Sequence, residues 1–356
     1  MRRVNGRLYR AGGILAALVL TTGLVAGQHD RDLFVVTSTN NTTNDVIVFR
    51  LDTAGTPALP YVSTLHTGGA GGASGNGGAV QFADDFGAVV NYGSNSVTQL
   101  VREDDFIQVG ETIKLATGCL KPVSVALAEN HLYVASANCA ESHAWPSGEV
   151  DGAVAGLPDT SAGQIAVGRS WAAVTLKSGS VLQLPLTKGG DLTGTSATVT
   201  LPSGANNTPL GAAFWGDLLA FNPAHSPDSF ALVTADRNVI PLPGPTPQFP
   251  TNAPCWLAKG PGNVWYSGNS PGQAISIFFT DGQGGVFYKS EPVPGVPTDL
   301  AVSRDGKWLA VIYTATADGL ARVAVFGIDG YGDLSPVATS NPVGSVSAFN
   351  GVAISQ

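Results

Sequence analysis

Glu141, His143 and Trp145 stand within the nine residues AESHAWPSG (140–148), and His225 lies in a second polar stretch, Asn222–Ser229. An imidazole titrates near neutral pH and can draw a proton from water, and a carboxylate beside it can hold its ring in place. An indole close by offers an apolar wall for a ring-shaped ligand. These types in this spacing point to acid–base chemistry on a small molecule, with His143 or His225 as base and Glu141 orienting a ring. The same residues also suit two solvated surface loops that do no chemistry. Asn91, Asn138, Lys121, Trp145 and Asp299 are the candidate substrate-binding groups. Asn91, Asn138 and Asn222 each end an apolar run, where Asn also serves as a turn residue. Asp299 lies inside an apolar run, either lining an internal channel or satisfied within it.

Other motifs are excluded. There is no G-x-S-x-G, which lowers the expectation of serine hydrolase chemistry. The run Gly68–Gly78, GGAGGASGNGG, resembles a phosphate cradle but lacks the GK[ST] ending and a helical pattern after it. It reads as a flexible linker bending sharply, or as a backbone-lined part of a ligand mouth. Cys119, Cys139 and Cys255 show no zinc spacing; Cys119 with Cys139 is the preferred disulfide, and buried free thiols are the alternative. Neither a metal nor a cofactor is expected.

The elements that must position these residues are short strands. Pro297–Asp329 reads as three of them (Leu300–Ser303, Trp308–Tyr313, Ala321–Ile328), joined by an Arg304-Asp305-Gly306 turn and a Thr314–Gly319 loop. The Pro and Ala of PTDLA (297–301) recur in PVSVA (122–126), PLGAA (209–213) and PCWLA (254–258). Weaker copies lacking the Pro end at Gln81, Ala166 and Ala353. Steps of roughly 40 to 50 residues between short strands signal a β-propeller with one four-stranded blade per repeat. Seven anchors predict an all-β, seven-bladed propeller. The last anchor, in GVAIS, has nothing after it, and Leu33–Thr37 and Val46–Leu51 have no anchor before them. Pairing the two ends completes one blade and closes the ring, which removes exposed sheet edges. A β-sandwich with chance spacing is the alternative.

Strand direction sorts the loops onto two faces. Loops between second and third strands share a face with the linkers between blades: Asn40–Asn44, Asn91–Asn95, Asn138–Gly148, Asn222–Ser229, Ser267–Gln273 and Thr314–Gly319. The opposite face receives tight turns such as Asp84-Asp85, Glu129–His131, Trp215–Asp217 and Arg304–Gly306. Binding groups concentrate in longer loops, so the site is expected on the linker face.

Gly 45 and Pro 23, spread along 356 residues, leave few windows of helical length. Four Arg precede the apolar run Ile14–Gly27, which has the length of a signal-peptide core; an uncleaved anchor is the alternative. Residues 1–27 are therefore read as a secretory signal and 28–356 as one exported propeller domain, expected to be a monomer. Its 14 Lys and Arg face 26 Asp and Glu, a formal charge of −12 against −8 for the whole chain. Such a surface repels phosphate backbones and anionic lipid, so neither nucleic acid nor membrane is an expected partner.

GAVQFADDFGAVVNYGSNSVTQLVR (78–102), PVSVALAENHLYVASAN (122–138), APCWLAKGPGNVWYSGN (253–269) and PTDLAVSRDGKWLAV (297–311) together resemble the lactonase-type seven-bladed propellers, which include 6-phosphogluconolactonase-like proteins and the fungal carboxymuconate cyclase. The resemblance covers nearly all of 33–356 and is weakest over 150–208. It implies hydrolysis or formation of a lactone or ester, by His, Glu and Arg around a channel mouth. Glu141, His143 and His225 are the nearest in type, while Arg169, Arg237 and Arg304 sort to the other face. The competing expectation is a non-catalytic extracellular propeller that binds carbohydrate or protein.

Overall fold

A computed structural model describes residues 32–73, 75–226, 230–242, 253–345 and 350–356. The expected signal segment, Ser74 of the Gly-rich run, residues 227–229 of the Asn222–Ser229 loop and residues 245–252 of the expected linker Pro245–Ala253 lie outside these residues. Among the described residues no helix is long and apolar enough to cross a membrane.

Seven sheets, antiparallel except for one short outer strand (Leu192–Thr193), form the ring, a seven-bladed β-propeller. All seven sequence anchors fall in innermost strands: Val80–Ala83, Pro122–Ala128, Ala162–Val167, Pro209–Trp215, Pro254–Lys259, Gly295–Val302 and Asn350–Ser355. We number the blades from the one that closes the ring. In blade 1, Asn350–Ser355 pairs antiparallel with Leu33–Ser38, aligning Ala353 with Val36 and Ile354 with Val35. The two ends of the described chain thus share one sheet, as the unpaired first and last repeats require.

The recurring Pro has a physical reason. In blades 3, 5 and 6 it opens the innermost strand, in blade 7 it is the third residue of Gly295–Val302, and in all four the register shifts just after it. Proline donates no backbone hydrogen bond, so a strand start beside a bulge accepts it without loss. Inner and middle strands are buried on both faces and read as continuous apolar runs, such as Trp308–Ala315. Each blade presses one face on each neighbour: Val46, Val48, Val89 and Leu100 join blades 1 and 2, and Trp171, Ala173, Leu219 and Phe221 join blades 4 and 5. Burying each such aliphatic or aromatic side chain stabilises by roughly 1.5–3 kcal/mol, so the ring is held by its blade interfaces.

The Gly-rich linker between blades 1 and 2 does not pass directly from one blade to the next. Asn40 of blade 1 accepts the backbone N–H groups of Gly72 and Ala73 at 2.8 and 3.0 Å. Asn76 then donates to the carbonyls of Ala162 and Gly163 at the start of blade 4's inner strand, at 2.9 and 3.1 Å. Gly78 donates to Asp299 of blade 7 and accepts from Val125 of blade 3. A segment that touches the inner strands of blades 3, 4 and 7 lies across the channel. Gly78 takes φ 65°, a left-handed backbone that residues with a Cβ rarely adopt, so the crossing is suited to glycine there. The linker is therefore a plug at the linker-face end of the channel, rather than the mouth of a ligand site.

Candidate functional site

The AESHAWPSG stretch is not the expected loop. Cys139–Ala144 is the third strand of blade 3, and only the residues after it turn. Alternation along that strand aims Glu141 and His143 to the same side, into the interface with blade 2, and both are fully buried. Glu141 Oε2 accepts the Ala116 backbone N–H at 2.8 Å, and Oε1 lies 3.0 Å from His143 Nε2. His143 Nδ1 lies 2.9 Å from the Gly148 carbonyl oxygen, which can only accept, so Nδ1 carries a proton. Both ring nitrogens of His143 and both carboxylate oxygens of Glu141 thus have a partner within the fold. The pair closes an interface and presents nothing to a substrate, which corrects the expectation of a solvent-facing base. The adjacent disulfide, Cys119–Cys139, is the preferred pairing and fixes the linker that carries Ala116. Cys255 is free and half-buried, and burial pushes its thiol up.

Trp145 is also displaced from its expected place. It follows the third strand and so belongs to the tight-turn face, where its backbone N–H donates to Asn130 and its ring meets the Phe86 ring edge-on at 6.3 Å. It is buried in the interface of blades 2 and 3. His225 does stand exposed on the linker face, with Nδ1 2.9 Å from Thr208 Oγ1. It belongs to blade 5, so blade 4 separates it from the Glu141–His143 pair, and the three catalytic candidates do not converge.

The binding candidates serve mainly as ties. Asn91, fully buried, accepts from Asn44 and Thr67 of blade 1 and donates to Thr98 at 2.8 Å. Asn138 holds the Cys119 linker by accepting from Leu120 and donating to Gly118. Lys121 is exposed on left-handed backbone (φ 60°), its ammonium 5.6 Å from the centre of the Tyr92 ring. Asp299 is buried and accepts backbone N–H groups from Leu300, Gly78 and Val352. Burial outweighs these donors and raises its carboxyl to about 7.

With the linker end of the channel plugged, the open mouth is the other one. A cavity of about 360 Å³ lies at the tight-turn ends of the inner strands of blades 7, 1, 2 and 3. Phe82, Leu127, Val302 and Ile354 line it with apolar surface. Asp84, Glu129, Arg304 and Gln356 supply its polar groups. Asp84 and Glu129 sit on left-handed turn backbone, with φ of 52° and 48°. Arg304 forms an ion pair with Asp84, bridging blade 7 to blade 2 past the ring-closing strand of blade 1. Gln356 Oε1 accepts the Asp305 N–H at 3.1 Å, so the last residue of the chain forms part of the rim. Apolar lining with a few convergent polar groups, in a volume above ~300 Å³, is the usual build of a small-molecule site. The turn sequences located these charges correctly; the preference for longer loops pointed away from them.

No family model matches the chain, and no curated protein matches it in sequence. Its fold does match solved structures. A candidate 6-phosphogluconolactonase of Bacteroides fragilis is 13% identical with a TM-score of 0.68, over 92% of this chain and 99% of that one. The virginiamycin B lyase of Staphylococcus aureus is 13% identical with a TM-score of 0.55, over 78% and 94%. The hydrazine synthase of Kuenenia stuttgartiensis is 12% identical with a TM-score of 0.58, over 81% and 94%. The likeness is one of fold. Proteins named for three different reactions share the ring, so activity has to be argued from the mouth itself.

Proposed function

We propose that this chain is a lactonase-like propeller that takes a small cyclic ester into the tight-turn mouth and opens it with water. The observation that carries this reading is one cavity with an apolar lining, a carboxylate base (Glu129) and a guanidinium (Arg304). Glu129 takes a proton from water as the water oxygen attacks the ring carbonyl. Arg304 offers its N–H groups to the oxyanion that forms, and Glu129 returns the proton to the departing ring oxygen, giving a hydroxy acid. The fold neighbours named as a lactonase and a lyase support the substrate class by analogy of fold. We propose export as well, supported by the Arg-flanked apolar run at the N-terminus and by a disulfide suited to an oxidising compartment.

The test is proton release from a panel of γ- and δ-lactones. Glu129→Gln should lower kcat by ~10²- to 10⁴-fold while the protein melts as before. Absence of turnover on every lactone, with calorimetric binding of one of them, would replace this reading with ligand binding alone. The pairing of Arg304 with Asp84, which already neutralises the guanidinium, is the observation that favours that second reading.

A further inference from the structure

Blade 3 carries one strand more than most of its neighbours. The chain that leaves Ser180–Pro185 of blade 4 swings outward and lays Leu192–Thr193 parallel to Val150–Gly156, the fourth strand of blade 3. The register pairs Gly152 with Leu192, which sets Asp151 beside Asp191. His131, at the start of blade 3's second strand, points Nε2 at both: 3.1 Å from Asp191 Oδ1 and 3.6 Å from Asp151 Oδ2. Three ligand atoms from three chain segments all lie within 4.8 Å of one another. The His131 side chain is only 10% exposed, whereas Asp191 and Asp151 are 27% and 41% exposed, so the cluster is open on one side.

Like charges side by side on neighbouring strands destabilise the pairing unless a cation stands with them. Among the described residues neither carboxylate has an ion pair with Lys or Arg, and His131 supplies at most one positive charge. Thr187 Oγ1 donates to Asp191 Oδ2 at 2.9 Å, which leaves Oδ1 turned toward His131. Nitrogen and oxygen ligands on a shared ion at 2.0–2.2 Å stand about 3.0–3.5 Å apart, close to the two separations seen here.

The geometry points to a divalent transition-metal site of zinc(II) or manganese(II) type, held by His131 Nε2 and the carboxylates of Asp151 and Asp191, that staples the blade 4 hairpin to blade 3. The imidazole suits borderline zinc(II), the two carboxylates suit zinc(II) and the harder manganese(II), and the open side leaves room for water as a further ligand. Tyr133, whose hydroxyl donates to the Gly190 carbonyl at 2.6 Å, holds the same hairpin and sets the site before the ion arrives.

The full chain, stripped with chelator, is titrated calorimetrically with zinc chloride and with manganese chloride, and its melting followed with and without the ion. One ion per chain and a raised Tm are expected. Loss of an outer partner of a metal ligand alone weakens binding 10- to 100-fold, so Asp151→Asn should weaken it by ~100-fold or more and abolish the Tm increment. The Asp151 side chain is 41% exposed, so the variant should fold; far-ultraviolet circular dichroism checks that it does. Failure of either ion to bind, or equally tight binding by Asp151→Asn, would overturn the assignment.

Discussion

The most informative single perturbation is Asp299→Asn. The carboxyl lies in the innermost strand of blade 7 and accepts N–H groups from Leu300 at 2.9 Å, Gly78 at 3.3 Å and Val352 at 3.4 Å. Burial raises it from 3.8 to about 7 in the folded protein. A carboxyl with a raised folded value ionises first in the unfolded chain. Its contribution to stability is fully present below the unfolded value near 4 and is lost as pH rises through the folded value near 7. Three units at ~1.4 kcal/mol each give a loss of about 4 kcal/mol between pH 4 and pH 8, an order-of-magnitude figure. Asparagine cannot ionise, so the variant should escape this loss while bearing a constant penalty for turning an amide donor toward backbone N–H groups. Chemical denaturation of both proteins at intervals from pH 4 to pH 8 measures the difference in slope, in which the other titrating groups cancel. Parallel stability curves for wild type and Asp299→Asn would refute the reasoning.

Substitutions in the plug should separate two kinds of close approach. Gly71→Ala drives a Cβ to 2.3 Å from backbone carbon of Asn40, whereas Gly77→Ala meets the amide end of Gln164; the first should cost more than the second, with overpacking losses of ~1–3 kcal/mol read by denaturant titration. Glu141→Ala breaks the buried pair and leaves His143 without its carboxylate, so a loss of ~3–5 kcal/mol is expected in the same titration. If Glu141→Ala instead abolished lactone turnover at unchanged Tm, the pair would be catalytic after all.

The inner strands were legible because most repeat one physical necessity: a proline or glycine where the strand bulges, then small and β-branched residues that are largely buried. The closing of blade 1 was legible for a similar reason, since a final GVAIS and an initial pair of strands each lack what the other supplies. The Cys139–Ala144 strand was not legible. CAESHA has too many polar residues to read as a buried strand, and only tertiary contacts make it one: Glu141 and His143 satisfy each other, Ala116 and Gly148 satisfy what is left, and Ser142 accepts the Leu192 N–H from the visiting hairpin. The Gly68–Gly78 run announced an absence of side chains without announcing where the backbone would go. Its course depends on Asn40, Ala162 and Val125, each in a different blade.

That course decides which face can bind. An inner strand exposes polar backbone at both ends of the channel, and the plug satisfies it at one end only. Asp299 joins this event to ring closure: a single carboxylate oxygen accepts from Gly78 of the plug and from Val352 of the last strand. A chain whose final strand has not docked therefore lacks one of the donors that hold Asp299, and the plug loses a fixed acceptor. Closing the ring and closing the linker end of the channel are in this way coupled steps. The open mouth with Arg304, Glu129 and Gln356 also takes its final form there, because Ile354 and Gln356 of the closing segment line it. The strand Asn350–Ser355 with Gln356 thus completes the sheet, the plug's anchor and the rim of the candidate site together.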